Sequence, residues 1–281
     1  MSVMIGVPVK DSAVWLPRFL AQLDKLEDVS RIVFSYGASH DPTLQILKQW
    51  ENETKHSTEI IPEPAMLGER TAMPRPLSAA EIALVYKDFQ ELIGEEGWED
   101  ETHFLLIDAD IMEVPFDLIQ RLKAHDKDIV APFVWTDRAA PPQFFDVHCF
   151  RLYGYRFHPF SPPDPYDGEP FEVDSVGSCY LVKRDVFKFV EYDNPHPHLK
   201  FCENALDEGF EIWVDPSIEV LHLDAQRVGV VKTPVEVLRQ RAGLPTEPFD
   251  PPPYIKRDGT IVTEEQFTTD LINAYVWGTV A

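Results

Sequence analysis

"FLLIDADIME" occupies residues 104–113, and how it is read decides the fold. An apolar, strand-like run ends abruptly at Asp108-Ala109-Asp110, and the chain turns apolar again at Ile111. Carboxylates beside a core are costly unless a charged or hydrogen-bonding group meets them. In open α/β sheets, ligands bind outside the carboxyl ends of the strands, and a strand over 103–107 places Asp108 at such an end. Two hard oxygen donors separated by one small residue can share a Mg²⁺ or Mn²⁺ ion. One binds directly, and the other reaches the ion's water or a ligand hydroxyl. Ala109 leaves room between them. The competing reading is a pair of turn formers or helix caps ahead of Pro115, because Asp is common in turns.

Outward from this stretch, the N-terminal half alternates strand and helix signals. "VMIGVPV" (3–9) is a β-branched run of the kind expected of a buried parallel strand. "VWLPRFLAQLDKL" (14–26) carries Leu16, Phe19, Leu20, Leu23 and Leu26 at helical spacing. "RIVFSYG" (31–37) predicts a second strand. "DPTLQILKQWENE" (41–53) predicts a helix with Asp41 as N-cap and Pro42 at its first position. A short strand at 57–63, a loop with Arg70 and Arg75, and a helix over about 78–93 follow. After the Asp-Ala-Asp turn come a helix opened by Pro115 and a strand, "DIVAPFVW" (128–135). This order predicts an α/β fold: a Rossmann-like, mostly parallel sheet covered by helices on both faces.

After Trp135 the pattern changes. Short strands are expected in 143–154, and a strand running into a helix in 172–187. Residues 158–171 are too rich in Pro for a helix or central strand and read as a surface loop. Residues 198–210 read as a helix stopped by Gly209. "EIWVDPSIEVLHL" (211–223) reads as two short strands around Asp215-Pro216. The organisation expected is a main domain over 1–243, with a nucleotide-binding half at 1–135 and an acceptor half at 136–243. A Pro-rich connector, a hairpin on Asp258-Gly259 and a terminal helix make an extension over 244–281. Its apolar residues, among them Phe267, Leu271, Tyr275 and Trp277, pack back on the domain or serve as a lid or homo-oligomer contact.

Hydrophobic residues make up 44% of the 281, enough for a substantial core. No apolar run approaches the roughly 18 residues of a membrane span, and the start lacks signal-peptide features. Three scattered cysteines imply no disulfide framework, and a reducing, cytoplasmic setting is expected. The net charge of −23 repels nucleic acid and anionic membranes over most of the surface. An anionic ligand therefore needs a metal or a few placed cations.

Other candidates converge on the same sheet edge. His222, at the end of a late strand signal, is a borderline ligand of the kind that completes sites begun by carboxylates. The first strand ends "VPVKD": Pro8 and Val9 lead to Lys10, suited to a phosphate, and Asp11, suited to a base or ribose. Asp11 can equally cap the next helix. Tyr36 can stack on a base and Ser39 can bond a ribose, or both belong to a turn. His196, His198 and Cys202 suggest zinc, but interleaved prolines and the lack of a fourth ligand favour a surface loop.

The ordered set of "VPVKDSAVWLPRFLAQLDKL", "SYGASHDPTLQIL", "FLLIDADIMEVPFDLIQRLKAHDKDIVAPFVW" and "VDSVGSCYLVKRDVF" with "FCENALDEGFEIWVDPSIEVLHL" resembles the nucleotide-sugar-dependent glycosyltransferases of the GT-A fold. Its nearest look is to the fungal mannan polymerase mannosyltransferases. The resemblance covers most of residues 1–223. It implies a Mn²⁺ or Mg²⁺ ion and a nucleoside diphosphate sugar, GDP-mannose or a UDP-sugar. It also implies transfer to a hydroxyl acceptor (saccharide or small molecule) with retention. Asp110 and His222 would then bind the metal, with Asp108 assisting through the ribose or a water. Pro8, Val9, Lys10, Asp11, Tyr36, Ser39, Asp108 and Ala109 would hold the donor, with Arg70 or Arg75 as a second clamp. Asp174, Ser175, Gly177 and Ser178 would face donor sugar and acceptor, with Gly177 permitting close approach. Asp110 and Glu203 would be the catalytic carboxylates, Glu203 stabilising the anomeric carbon or orienting the acceptor.

The chain departs from its relatives in three places. Ser35-Tyr36 stands where an acidic pair is common, Glu81-Ile82 where the mannan polymerases carry Arg-Asn, and Asn204 where inverting relatives often carry the base aspartate. Three further readings remain open: glycosylation of modified phage DNA bases, a non-catalytic sugar-nucleotide binder, and nucleotidyl transfer. The last expects a Gly-rich phosphate loop that 6–15 lacks.

Overall fold

In the computed structural model, the described residues are 2–37, 39, 41–62, 86–87, 90–91, 100–136, 149–152, 155–156, 169–193, 196–223, 254–255 and 261–262. Arg70, Arg75, nearly all of the Pro-rich 158–171 loop, the 243/244 boundary and the terminal helix lie outside them. Of the helix expected over 78–93, Tyr86, Lys87, Gln90 and Glu91 are described, and all are helical.

The central strands are apolar on both sides, so their residues alternate between two cores rather than between core and water. In β1 (Ser2–Val9), Met4 packs with Phe104, Leu106, Phe133 and Tyr180 on one face. Val3, Ile5 and Val7 pack with Leu105 and Ile107 on the other. The 3.6-residue spacing of α1 (Leu16–Leu23) delivers Leu16, Phe19, Leu20 and Leu23 to this second face.

β2 (Val29–Tyr36) and β3 (Ser57–Pro62) extend the sheet parallel to β1 on one side, and β4 (Glu101–Ile107) on the other. α2 (Thr43–Glu53) connects β2 to β3. The remaining members are β5 (Ile111–Glu113), β6 (Ile129–Thr136), β9 (Phe171–Glu172), β10 (Cys179–Lys183) and β11 (Ile212–His222). The order is β3-β2-β1-β4-β10-β6-β11-β5, with β9 also paired to β11. Six strands (β3, β2, β1, β4, β6 and β11) point the same way, while β10 is inserted antiparallel between β4 and β6. The sheet is thus mixed α/β and mostly parallel, and the carboxyl ends of β1, β2, β4, β6 and β11 share one edge. Small hairpin pairings join β7 (Arg151–Leu152) to β8 (Tyr155–Arg156) and β12 (Tyr254–Ile255) to β13 (Ile261–Val262). α3 (Leu118–Lys123), α4 (Arg184–Phe189) and α5 (Pro197–Asp207) complete the described helices.

Expectations change at β11 and at α5, and the helix expected to open at Pro115 begins at Leu118 with Asp117 as N-cap. The two strands expected around Asp215-Pro216 form one, β11, whose register against β6 shifts between Asp215 and Glu219. A proline is tolerated in a sheet at such an irregularity. Asp215 pins it: Oδ1 accepts from the Ser217 amide (2.8 Å) and hydroxyl (2.6 Å), and Oδ2 meets His125 Nε2 at 2.8 Å. The surface loop expected around His198 is instead helical. Pro197 starts α5, where its missing N–H costs nothing. His198 and Cys202, four residues apart, then turn into the core.

Burial, reinforced by His196, pushes the His198 imidazole down to about 3. The unfolded chain takes up that proton near pH 6.5, whereas the native state does not. Stability is therefore held above pH 6.5 and declines as pH falls below it. Between pH 7 and 5 this one group costs about 2 kcal/mol. His198→Gln is expected to lose that much less over the same interval, measured by urea denaturation at the two pH values.

Candidate active site

At the end of β4, the Ile111 amide donates to the Asp108 carbonyl at 3.1 Å and closes the Asp-Ala-Asp turn. The chain reverses into β5, which runs antiparallel to the end of β11 with Ile111 opposite His222. The Leu223 amide donates to the Asp110 carbonyl at 2.8 Å. This pairing brings residues 110 and 222 together: His222 Nε2 lies 3.0 Å from Asp110 Oδ1. His222 Nδ1 lies 2.9 Å from the Leu223 carbonyl, which fixes the proton on Nδ1 and turns Nε2 toward the carboxylate. His222 is buried, while Asp110 is 35% exposed and forms the mouth of the site.

Burial alone would push His222 down, but the Asp110 carboxylate outweighs it and holds the imidazole up at about 9. Asp110 mirrors this. Burial pushes it up, and the neighbouring His222 leaves it below the ordinary carboxylate range. A carboxylate and an imidazole nitrogen converge at a half-exposed point, with the second ring nitrogen committed to a carbonyl. Imidazoles that ligate metals are held this way, so the donor set suits a divalent cation. Among the described residues, no three His, Cys, Asp or Glu side chains are grouped as a metal cluster.

Asp108 is held differently. Its amide donates to the Ser178 carbonyl at 2.8 Å, and its Oδ1 accepts from the Tyr86 hydroxyl at 3.1 Å. Ser178 belongs to the Asp174–Ser178 turn, which the sheet order sets beside β4. Within this turn Ser178 carries a positive φ, 50°. The Gly177 carbonyl accepts from the Cys179 amide across it. Ser175 and Ser178 are buried. The Asp174 amide donates to Arg151 O and the Ser175 hydroxyl to Cys149 O.

On the β1–β2 side, Pro8 and Val9 pair with Ser35 and Tyr36. Asp11 has φ 46°, and its amide donates to Ser39 Oγ at 3.0 Å. The Ser39 amide donates to the Tyr36 hydroxyl at 3.1 Å. The loops after β1 and β2 are thereby clasped together. The Lys10 carbonyl accepts from Ser12 Oγ at 2.8 Å. Asp41, expected as the N-cap of α2, lies one residue ahead of it, since Pro42 is the N-cap; the Asp41 carboxylate instead accepts from the Ala13 and Thr43 amides at 2.9 and 3.1 Å and joins the two loops. Asp11 and Ser178 flank β4 on its two sides, and non-glycine residues at positive φ collect at functional sites.

Glu203 lies on α5, and its Oε2 pairs with Lys200 Nζ at 3.0 Å. The neighbouring Cys202 Sγ contacts the Val176 carbonyl at 3.8 Å, which ties α5 to the turn. Sequence reading missed Tyr86. It falls unnamed within the helix expected over about 78–93, and nothing local marks its partner 22 residues on.

No family model matches the chain. It is 26% identical over 208 residues to procollagen galactosyltransferase 1 of Danio rerio, covering 69% of this chain and 34% of that protein. The chain thus spans about a third of the length of the curated relative it matches. It is similar to the structure of GalNAc-T7 with UDP, GalNAc and Mn²⁺ (TM-score 0.56, 11% identity, covering 79% of this chain and 43% of that one). It is also similar to Staphylococcus aureus TarS (TM-score 0.51, 12% identity, 98% and 43%). Together with the sheet order, these likenesses establish the GT-A type of α/β fold.

The Asp110–His222 pair predicts a direct titration result. In metal-free protein His222 should titrate near pH 9 by NMR. In Asp110→Asn, with the counter-charge gone, it should fall by two pH units or more.

Proposed function

We propose that the chain is a metal-dependent glycosyltransferase that moves a sugar from a nucleoside diphosphate sugar to a hydroxyl acceptor. The observation that carries this reading is the pairing of Asp110 with His222 at the carboxyl edge of the sheet, with Asp108 held one turn away. Asp110 and His222 would hold the ion. A bound divalent cation would compensate charge on the diphosphate leaving group.

The protein's own residues supply the rest. His222 would offer Nε2 to the ion, with its Nδ1 kept on the Leu223 carbonyl. Asp108 offers its carboxylate to the ribose or to a metal-bound water. The clasped loops present Asp11, Tyr36 and Ser39 to the nucleoside. The Asp174–Ser178 turn faces donor sugar and acceptor. Glu203, beside that turn on α5, orients the acceptor or steadies positive charge at the anomeric carbon.

The GalNAc-T7 structure described with UDP, GalNAc and Mn²⁺, and the galactosyltransferase relative, favour a UDP-sugar with Mn²⁺ over GDP-mannose. Retention, and the closer likeness to the mannan polymerases, rest on motif order and on Asn204, which cannot take a proton. The net charge of −23 disfavours a DNA acceptor. A reducing, cytoplasmic compartment is the reading favoured by three scattered cysteines, all of them buried. No helix among the described residues is long and apolar enough to cross a membrane.

Thermal stabilisation by a panel of nucleoside diphosphate sugars, with and without Mn²⁺, tests the donor. Asp110→Ala should abolish Mn²⁺-dependent donor hydrolysis while keeping its far-ultraviolet circular dichroism. Full hydrolysis in that variant, or in excess chelator, would overturn the reading. Calorimetric binding of donor and Mn²⁺ without turnover would point to the non-catalytic binder.

A further inference from the structure

We infer that Tyr86 is a positioning residue for Asp108: its hydroxyl commits one carboxylate oxygen and fixes the orientation in which Asp108 serves the donor. This rests on the glycosyl-transfer reading and deepens it.

The geometry is built from two buried polar side chains one helical turn apart. Residues four apart share a helix face, and Tyr86 and Gln90 are 4% and 8% exposed. Gln90 anchors the turn. Its amide nitrogen donates to the Phe187 and Val190 carbonyls behind α4, and its oxygen accepts from the Tyr192 amide at 3.3 Å. With that turn fixed, Tyr86 has little freedom. Its ring lies 5.2 Å from Tyr192 and meets His198 edge-on at 4.8 Å. Tyr192 in turn stacks on Phe201 at 4.4 Å. The wall behind Asp108 therefore includes residues of α5, the helix that carries Glu203.

A phenol this deep must have a hydrogen-bond partner, and a carboxylate gives the stronger, charge-assisted bond. Burial, and then the charge of Asp108, push the Tyr86 phenol well above its ordinary value, so it stays a donor. The plainer account is that Tyr86 is core filling whose hydroxyl takes the nearest acceptor. The two accounts differ in what loss of the hydroxyl alone does. Tyr86→Phe keeps the ring packing. Tyr180→Phe removes a hydroxyl from the same wall, where Tyr180 bonds Tyr192 and lies 3.5 Å from His198 Nδ1.

The wild-type chain of 281 residues, Tyr86→Phe, Tyr180→Phe and Asp108→Asn are titrated calorimetrically with Mn²⁺ in the presence of UDP, and separately of GDP, well below each melting temperature. Tyr86→Phe is expected to weaken Mn²⁺-nucleotide binding by about 10- to 100-fold, with Tyr180→Phe within about twofold of wild type. In an Asp108→Asn background, Tyr86→Phe should add no further loss. Tyr86→Phe binding like wild type, or both tyrosine variants losing equally, overturns the inference and leaves the glycosyl-transfer reading standing. Wild type that binds neither nucleotide with Mn²⁺ overturns both.

Discussion

The arrangement depends on how the end of β4 is satisfied. A strand buried on both faces runs directly into two carboxylates, and an unpaired charge in that position would cost several kcal/mol. Neither aspartate finds its partner nearby in the sequence. Asp108 takes the Ser178 carbonyl on its amide and the Tyr86 hydroxyl on its carboxylate. Asp110 takes His222 on its side chain and the Leu223 amide on its carbonyl. Three separate chain segments must converge on a three-residue turn. That requirement explains why β10 is inserted antiparallel against β4, since this direction brings residues 174–178 to the carboxyl edge.

The irregularity in β11 belongs to the same requirement. Asp215 pairs with Pro132 and Glu219 with Phe133, so three residues are looped out against β6. Strand side chains alternate with period two, and an odd insertion exchanges the two faces. Before it, Ile212 and Val214 pack in the core that holds Phe133 and Tyr180. After it, Val220 packs in the other core, with Ala109 and Ile111. His222 shares the parity of Val220 and so arrives on the side of Asp110. Without the insertion it would point away. The Asp215 hydrogen bonds to Ser217 and His125 therefore bear on the site from the middle of the strand, well away from its mouth.

Much of this was legible in the sequence because the signals are local. The alternation of β-branched runs with 3.6-residue periodicity is a property of each segment, and it gave the α/β layering and the common edge. The abrupt Asp-Ala-Asp ending marked where the edge matters, and His222 could be suspected from its residue type. Non-local facts were not legible. The antiparallel insertion of β10 depends on which strand gap it fills. The positive φ fell on Ser178 although Gly177 is the residue suited to it, because the turn must offer a carbonyl to Asp108. Pro195 and Pro197 suggested a loop around His198, but Pro197 sits where a helix tolerates it. Tyr86 carried no signal, since a tyrosine in an apolar helical pattern reads as core until its hydroxyl has a destination.

The two aspartates also differ in the charge of what meets them, and this separates their roles. Asp108 takes the Tyr86 hydroxyl on its carboxylate and the Ser178 carbonyl on its amide, which orients it, and its charge also helps to hold the His222 imidazole up. Asp110 is met by an imidazole that it holds protonated to about pH 9. A carboxylate that raises its neighbour so far is one that needs positive charge beside it. An imidazole pinned at Nδ1 can supply that charge as a proton on Nε2, or can turn the same nitrogen into a ligand when an ion supplies it. On the proposed reading, proton and divalent cation would compete for one point between the two side chains. β5 and β11 hold both residues in register, so on the proposed reading the Asp110–His222 pair would rest as an ion pair in the free protein and open to a metal.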